Sequence, residues 1–257
     1  MIGADPWARY RLVEMTAVRV GFCAAYVATF LNAGANADRE RTDMTNPRRV
    51  ALVTGCGKPD GIGAAIARKL SADGHIVVVV DIEATGLRDS HEPADSVAAE
   101  WRGVESLVSE LTAAGGVASA VTGDISVQAD VARIIAHAVD RHGGLDILVN
   151  NAGAPFSLGH GDIETIDPDE FDRVMAINVR GTFLMGQAAA RVMRRGKWGR
   201  IVNIASVAGR QGSKLNSSYA ASKAGVIALA QTWALDLGPA GITVNAVLPG
   251  FIFTTRT

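Results

Sequence analysis

Short apolar runs rich in β-branched residues alternate along this chain with segments of helical periodicity. The apolar runs cover residues 50–54, 75–82, 117–122, 145–149, 200–205 and 242–248, and helical spacing covers residues 62–71, 104–114, 127–141, 169–195 and 218–237. Apolar runs of this length, without polar alternation, are typical of parallel strands that are buried on both faces. The alternation therefore predicts an α/β fold, a doubly wound parallel sheet that binds ligands at the carboxyl ends of its strands.

A glycine-rich turn joins the first of these strands to the first helix. Residues 54–63 read Thr-Gly-Cys-Gly-Lys-Pro-Asp-Gly-Ile-Gly. Glycines let the backbone turn tightly and approach a pyrophosphate, which the free N–H groups and the dipole of a helix N-terminus favour. Because a strand precedes this turn and a helix follows it, the turn predicts a dinucleotide site.

Asp81 lies at the end of the second strand. A carboxylate at this place can accept hydrogen bonds from an adenosine ribose, and it would repel a 2′-phosphate. NAD is therefore the predicted cofactor. Lys58 in the glycine turn could attract that phosphate, so NADP stays open. A helix cap or a turn residue is the structural alternative for Asp81.

Tyr219 and Lys223 lie four residues apart in the helix predicted over residues 218–237, so their side chains share one face. A phenol titrates near ~10 in water, and a nearby cation favours the phenolate and lowers that pKa. Ser206 follows the strand at residues 200–205, where its hydroxyl could donate a hydrogen bond to a substrate carbonyl. Together these residues predict a proton-transfer site for alcohols or carbonyls. A solvated Tyr–Lys pair is the alternative that the spacing alone leaves open.

Composition narrows the classes of function. The chain has 257 residues, enough for one large α/β domain, and its formal net charge of −1 comes with no basic stripe for nucleic acid. Cys23 and Cys56 are its two cysteines, and no Cys/His cluster has the spacing of a zinc site. We predict a metal-free protein of the reducing cytoplasm, without nucleic-acid or membrane partners.

Residues 1–48 differ from the rest and are predicted to be an N-terminal extension of a domain that covers residues 49–257. Arg9, Arg11 and Arg19 precede an uncharged apolar run at residues 20–31, which is the outline of a secretory signal. Two further interpretations stay open. One is a disordered or amphipathic tail, and the other is translation that starts at Met44, so that residues 1–43 are not made.

From about Arg48 onward the chain resembles the short-chain dehydrogenase/reductase family, of the kind that includes 3-oxoacyl-[acyl-carrier-protein] reductases. The resemblance rests on an ordered series: Thr54-Gly55, Gly61-Ile62-Gly63, Asp81, Asp124-Ile125, Asn150-Asn151-Ala152-Gly153, Asn178, Ser206, Tyr219 with Lys223, and Pro249-Gly250. It implies a Rossmann-type sheet of about six strands in the order 3-2-1-4-5-6, with helices on both faces. It also implies hydride exchange between NAD(P) and a small alcohol, ketone or acyl substrate, in a homodimer or homotetramer.

The resemblance further implies roles for a tetrad of Asn178, Ser206, Tyr219 and Lys223. Tyr219 would exchange a proton with the substrate, and Ser206 would hold the carbonyl oxygen. Lys223 would lower the pKa of Tyr219 and bind the nicotinamide ribose, while Asn178 would position a relay water. The implied cofactor contacts are Gly55, Gly57, Asp60, Gly61, Ile62, Asp81, Ile82, Asp124, Ile125, Asn151, Ala152, Gly153, Tyr219, Lys223, Pro249, Gly250, Ile252 and Thr254.

Three departures from the family pattern limit the resemblance. The glycine turn is two residues longer, through Lys58-Pro59, and residues 83–103 form an insertion. The chain also ends seven residues after Gly250, where the family continues through substrate-covering helices and a last edge strand. We therefore expect that edge strand to be missing and the strand at residues 242–248 to be an unpaired edge. A non-catalytic nucleotide-binding or dimerisation protein is the alternative function.

Overall fold

One sheet of seven parallel strands forms the centre of the computed structural model, which describes residues 12–32, 48–85 and 100–253. The strands are β1 (Leu12–Arg19), β2 (Val50–Thr54), β3 (Ile76–Asp81), β4 (Val117–Thr122), β5 (Ile147–Asn150), β6 (Gly199–Ile204) and β7 (Ile242–Phe253). Their order across the sheet is β4-β3-β2-β5-β6-β7-β1. Strands β2 to β7 thus follow the predicted order 3-2-1-4-5-6, and that prediction is confirmed.

Helices cover both faces of the sheet. They are α1 (Val20–Asn32), α2 (Ile62–Ala72), α3 (Val104–Ala113), α4 (Gln128–His142), α5 (Pro168–Met175), α6 (Thr182–Gly196), α7 (Ala208–Gln211) and α8 (Ser217–Leu237). A π-helical turn, Ala176–Gly181, joins α5 to α6, and a 3₁₀ turn, Gly238–Ala240, follows α8. One apolar core lies between the sheet and α1, α2 and α3, and a second lies between the sheet and α4, α6 and α8.

The predicted apolar runs form strands because their side chains are buried on both sides of the sheet. All five residues of β2 are buried, as are all four of β5 and the central four of β3. These strands lie in the middle of the sheet, where helices cover them from both faces. The carboxyl ends of β2 and β5 therefore meet at one edge, next to the glycine turn.

Strand β1 corrects the expectation that the last strand is an unpaired edge. β1 runs parallel to β7, with Leu12 opposite Ala246 and Arg19 opposite Phe253. That expectation took account only of an edge strand that would follow β7 in the sequence, and not of one that precedes β2. Backbone pairing, however, accepts any strand that reaches the unpaired N–H and C=O groups of an edge.

Helix α1 continues from β1 and packs beside α2. It buries four side chains in the core on that face: Cys23, Ala24, Val27 and Leu31. Residues 12–32 therefore pack against the sheet. The division of the chain at residue 48 and the interpretations of its N-terminal part stay predictions, and residues 33–47 lie outside the described ranges.

Candidate active site

The predicted site residues gather at the carboxyl ends of the strands and on the helices beside them. Gly55, Gly57, Asp60 and Gly61 follow β2, Ile62 begins α2, Asp81 ends β3 and Ile82 follows it, Asp124 and Ile125 follow β4, Asn151, Ala152 and Gly153 follow β5, Asn178 lies in the π-helical turn, Ser206 follows β6, Tyr219 and Lys223 lie on α8, and Pro249, Gly250 and Ile252 lie in β7. Thr254 lies outside the described residues. Parallel strands bring these separate segments to one edge of the sheet.

Tyr219 and Lys223 occupy successive turns of α8, and Ser206 reaches them from the end of β6. Lys223 Nζ lies 5.6 Å from the centroid of the Tyr219 ring and donates a 2.8 Å hydrogen bond to Ile204 O. The Ser206 hydroxyl lies close enough to the Tyr219 phenol to lower the pKa of that phenol. Ser206 Oγ also accepts from Ala208 N at 3.2 Å. The serine hydroxyl, the phenol and the ammonium thus form one contiguous polar group.

Burial controls the protonation of this group. Burial raises the pKa of Tyr219, against the smaller opposing effect of the Ser206 hydroxyl. Burial also lowers the pKa of Lys223 to about 8. Desolvation of the phenolate is the largest effect on the pKa of Tyr219. The expectation that Lys223 lowers the pKa of Tyr219 stays a prediction. The phenol keeps its proton at neutral pH.

Asn178 joins the loop after β5 to the helix that carries Tyr219. It is buried, and its Oδ1 accepts a 2.8 Å hydrogen bond from Ala154 N. Its Nδ2 donates to Ser222 Oγ at 2.9 Å, and Ser222 Oγ donates to Tyr219 O at 2.8 Å. The sequence analysis gave Ser222 no role. Its position between Tyr219 and Lys223 was the signal that could have indicated a part in the site. The π-helical turn aims Asn178 at both partners, and such turns are frequent at functional sites.

The glycine turn closes tightly against the loop after β5. Gly55 has a φ of +76°, and a Cβ on Gly63 would lie 2.2 Å from Gly55 O. Asn151 Nδ2 donates to Thr54 O at 2.8 Å and to Gly55 O at 3.0 Å. Thr54 Oγ1 accepts from the backbone N–H groups of Asn151 and Ala152, each at 3.0 Å. Thr54 thus locks the ends of β2 and β5 together, a role that the sequence analysis did not assign.

Two carboxylates follow neighbouring strands but have different surroundings. Asp81 accepts hydrogen bonds from Gly57 N at 2.7 Å and from Ile82 N at 2.8 Å, so its carboxylate lies against the glycine turn. Asp124 instead accepts from Ser126 N and Ser126 Oγ, at 2.8 and 2.7 Å. Asp124 therefore closes its own loop, while Asp81 faces the predicted dinucleotide site.

The small residues of the site fit a dinucleotide. A Cβ on Gly153 would lie 3.3 Å from Asn178 Oδ1 and 3.8 Å from Lys223 Nζ, so any side chain there would fill space beside the tetrad. The glycines of the turn carry no Cβ and so allow the close backbone approach that a pyrophosphate requires. Together with the Asp81 carboxylate, these residues fit the adenosine, diphosphate and nicotinamide parts of such a ligand.

In the described parts of the chain, His, Cys, Asp and Glu side chains form no group of three or more that could hold a metal ion. No helix there is long and apolar enough to cross a membrane.

Comparisons with known proteins agree with this geometry. The sequence profile described as short chain dehydrogenase matches residues 91–257. The chain is 38% identical over 209 residues to a 3-oxoacyl-[acyl-carrier-protein] reductase of a Synechocystis strain, covering 81% of this chain and 76% of that protein. A crystal structure of NAD⁺-bound xylitol dehydrogenase matches with a TM-score of 0.70 and 32% identity, over 80% of this chain and 71% of that one. A metagenomic short-chain oxidoreductase in complex with NADP matches with a TM-score of 0.67 and 33% identity, over 79% and 82% of the two chains.

Proposed function

Because the chain belongs to the short-chain dehydrogenase/reductase family, we propose that it transfers a hydride between a nicotinamide cofactor and an alcohol or carbonyl substrate at the Tyr219 site. The observation that carries this proposal is the contact between Ser206 and Tyr219 beside the buried Lys223. Two neighbouring hydroxyls next to a buried ammonium can bind a carbonyl oxygen and exchange one proton with it.

Each residue of the tetrad has one task in the proposed reaction. The nicotinamide cofactor supplies or accepts the hydride. Tyr219 keeps its proton at neutral pH, so in carbonyl reduction it can protonate the oxygen on which negative charge develops. Ser206 donates a hydrogen bond to the same oxygen, and Lys223 supplies positive charge behind the phenol. Asn178 holds the Tyr219 helix to the loop after β5.

We propose NAD as the preferred form of the cofactor. The carboxylate of Asp81 lies at the end of β3, fixed by the backbone N–H groups of Gly57 and Ile82. At that place it suits the hydroxyls of an adenosine ribose, and its charge opposes a 2′-phosphate. Lys58 in the same turn is the feature that favours NADP, and the charge of Asp81 outweighs it in this proposal.

We propose that the protein acts as a homodimer or homotetramer on a small substrate in the cytoplasm. An apolar groove on the outer side of α5, α6 and α8 supports self-association, since it is lined by side chains that include Met175, Val179, Phe183 and Leu229. Phe183 is 39% exposed there although its ring lies 6.4 Å from that of Trp233, so it leaves apolar surface open for a second copy. A monomeric mass by light scattering at micromolar concentration would contradict this part of the proposal.

The Tyr219→Phe variant tests the catalytic assignment. It removes the phenolic hydroxyl and keeps the ring, so we expect turnover to fall by ~10²–10⁴-fold, the usual contribution of a general acid or base. Cofactor affinity should stay close to that of the unchanged protein. Oxidation of NADH with a panel of ketones, and reduction of NAD⁺ with a panel of alcohols and polyols, would measure turnover.

Tyr26→Phe is the matched control, because Tyr26 lies on α1 with 44% of its surface exposed, away from the site. It should turn over substrates at the unchanged rate. If Tyr219→Phe retained full activity, the assignment would be wrong. If the unchanged protein bound NADH yet turned over nothing in either panel, the non-catalytic alternative would be favoured.

A further inference from the structure

Two features that depart from the family pattern touch each other in this structure. The longer glycine turn contains Gly57, and the insertion contains Trp101, whose indole Nε1 donates a 2.8 Å hydrogen bond to Gly57 O. On the other side of the same residue, Gly57 N donates to the Asp81 carboxylate at 2.7 Å. Gly57 is buried, and side chains from outside the turn bond both of its backbone polar groups.

Arg68 holds the turn at a second carbonyl. Its Nη1 donates a 2.7 Å hydrogen bond to Pro59 O from the middle of α2. The other nitrogens of the guanidinium, Nε and Nη2, donate to the two carboxylate oxygens of Glu110 on α3, at 2.7 and 2.8 Å. This bidentate pair lowers the pKa of Glu110 and fixes the plane of the guanidinium. Arg68 therefore approaches Pro59 in one orientation.

The end of the insertion that carries Trp101 is itself fixed. Val104 N donates to Ala84 O at 2.7 Å, which closes the base of the inserted segment. Gly103 has a φ of +68°, and a Cβ there would lie 1.7 Å from Ala84 O, so this approach needs glycine. The Trp101 ring also packs against the core under α2 and α3. Trp101 is thus held in place independently of the turn that it contacts.

We propose that Trp101 and Arg68 are positioning residues that hold the extended glycine turn, residues 54–63, in the shape that binds a dinucleotide. Each side chain fixes one carbonyl, and a carbonyl fixes the plane of its trans peptide, including the direction of the following N–H. The turn carries two more residues than its family pattern, and added length in a loop adds conformations. Trp101 and Arg68 remove those conformations before the ligand arrives. This inference rests on the proposed function.

The test compares Trp101→Phe with Trp198→Phe. Trp101→Phe keeps a ring in the core but removes the indole N–H, so we expect dissociation constants for NADH to rise about tenfold, since a buried acceptor loses its donor. The same factor should apply to ADP-ribose, which lacks the nicotinamide. In turnover assays, Trp101→Phe should raise the KM for the cofactor by a larger factor than it lowers kcat. Trp198 lies at the amino ends of the strands, directly before β6, where Arg49 and Arg200 contact its ring. Its replacement should leave both affinities unchanged.

A second pair of variants keeps the proposal testable if Trp101→Phe does not fold. Arg68→Met removes the donor to Pro59 O, and we expect it to weaken NADH and ADP-ribose binding by a similar factor. Lys69→Met changes the next residue of α2, whose ammonium pairs with Asp73 and does not reach the turn. That control should bind both ligands as the unchanged protein does.

The outcomes separate the inference from the proposed function. If the unchanged protein binds NADH and both test variants bind NADH and ADP-ribose equally well, the positioning role is overturned while the proposed function stands. A loss of affinity for NADH without a matching loss for ADP-ribose would also overturn the positioning role. The effect would then concern the nicotinamide, which ADP-ribose lacks, and not the part of the ligand that the turn is proposed to bind. If the unchanged protein binds neither NADH nor NADPH, the proposed function and the positioning role both fall.

Discussion

At the scale of the residue, Asp81 connects the shape of the glycine turn with the proposed choice of cofactor. One oxygen of its carboxylate accepts from Gly57 N and the other from Ile82 N. Both bonds leave the negative charge in place and hold it at the end of β3. A charge that the backbone fixes discriminates better between ligands than one on a mobile side chain, because it cannot turn away from a 2′-phosphate.

The substitution Asp81→Asn removes that charge with almost no change of shape. We expect the ratio of NADPH to NADH affinity to rise by about tenfold or more, since repulsion between charges ~4 Å apart near a protein surface amounts to a few kcal/mol. Isothermal titration with each cofactor measures the ratio. Asp140→Asn is the control, because that carboxylate is exposed on α4 and belongs to none of the implied cofactor contacts. An unchanged ratio in Asp81→Asn would show that another group sets the preference.

At the scale of the element, β4 and α4 meet through a serine between two histidines. Ser119 Oγ on β4 lies 2.8 Å from His142 Nε2 and 3.0 Å from His137 Nε2, both on α4. Burial lowers the pKa of both histidines, and the nearby Arg141 lowers it further. The folded protein therefore keeps two imidazoles neutral at a pH at which the unfolded chain protonates them.

This arrangement predicts a loss of stability in mild acid. A histidine whose folded pKa is depressed stabilises the fold above its unfolded pKa, near ~6.5, and loses that stabilisation as the pH falls below it. We expect the thermal midpoint to fall by a few degrees between pH 7.5 and 5.5. His142→Asn, which keeps a hydrogen-bonding group near Ser119, should make that fall smaller. An equally steep fall in the variant would assign the effect elsewhere, for instance to His75, whose pKa burial also lowers.

Local patterns in the sequence predicted the elements whose structure depends on neighbours along the chain. The glycine turn lies between a strand and a helix as its spacing required, and Tyr219 and Lys223 lie one turn apart on α8. Asn178, which lies within the predicted helical segment 169–195, falls in a π-helical turn. A π-helical turn differs from an α-helix in its backbone hydrogen bonds. The spacing of apolar side chains in the sequence did not reveal that difference.

Contacts between distant segments could not be predicted in this way. Trp101 and Gly57 are 44 residues apart, and Arg68 and Glu110 are 42 apart, with no periodic pattern to connect them. The raised pKa of Tyr219 also depends on burial, which the Tyr–Lys spacing does not reveal. The edge strand β1 is the largest difference, because the sequence analysis weighed the charges of residues 1–31 and not their ability to pair.

At the scale of the whole molecule, β1 and α1 close the sheet at the edge next to the site. β1 pairs with β7, which carries Pro249, and Pro249 O accepts the backbone N–H of Val207, the residue after Ser206. The added edge therefore supports a strand that contacts the tetrad. It also satisfies a row of backbone groups that would otherwise lie open to pairing with other chains.

The packing of α1 makes a final prediction about stability. Val27 is fully buried between α1 and the core under α2, whereas Ala25 is exposed on the same helix. Val27→Asp would bury an unpaired carboxylate or force α1 off the sheet, so we expect it to lower the free energy of unfolding by about 3 kcal/mol or more. Ala25→Asp adds the same charge two residues away and should change it by no more than ~0.5 kcal/mol. Urea unfolding followed by circular dichroism measures both. Equal midpoints for the two variants would mean that α1 does not pack on the domain in solution, and the site would then have to assemble without the strand that closes its edge.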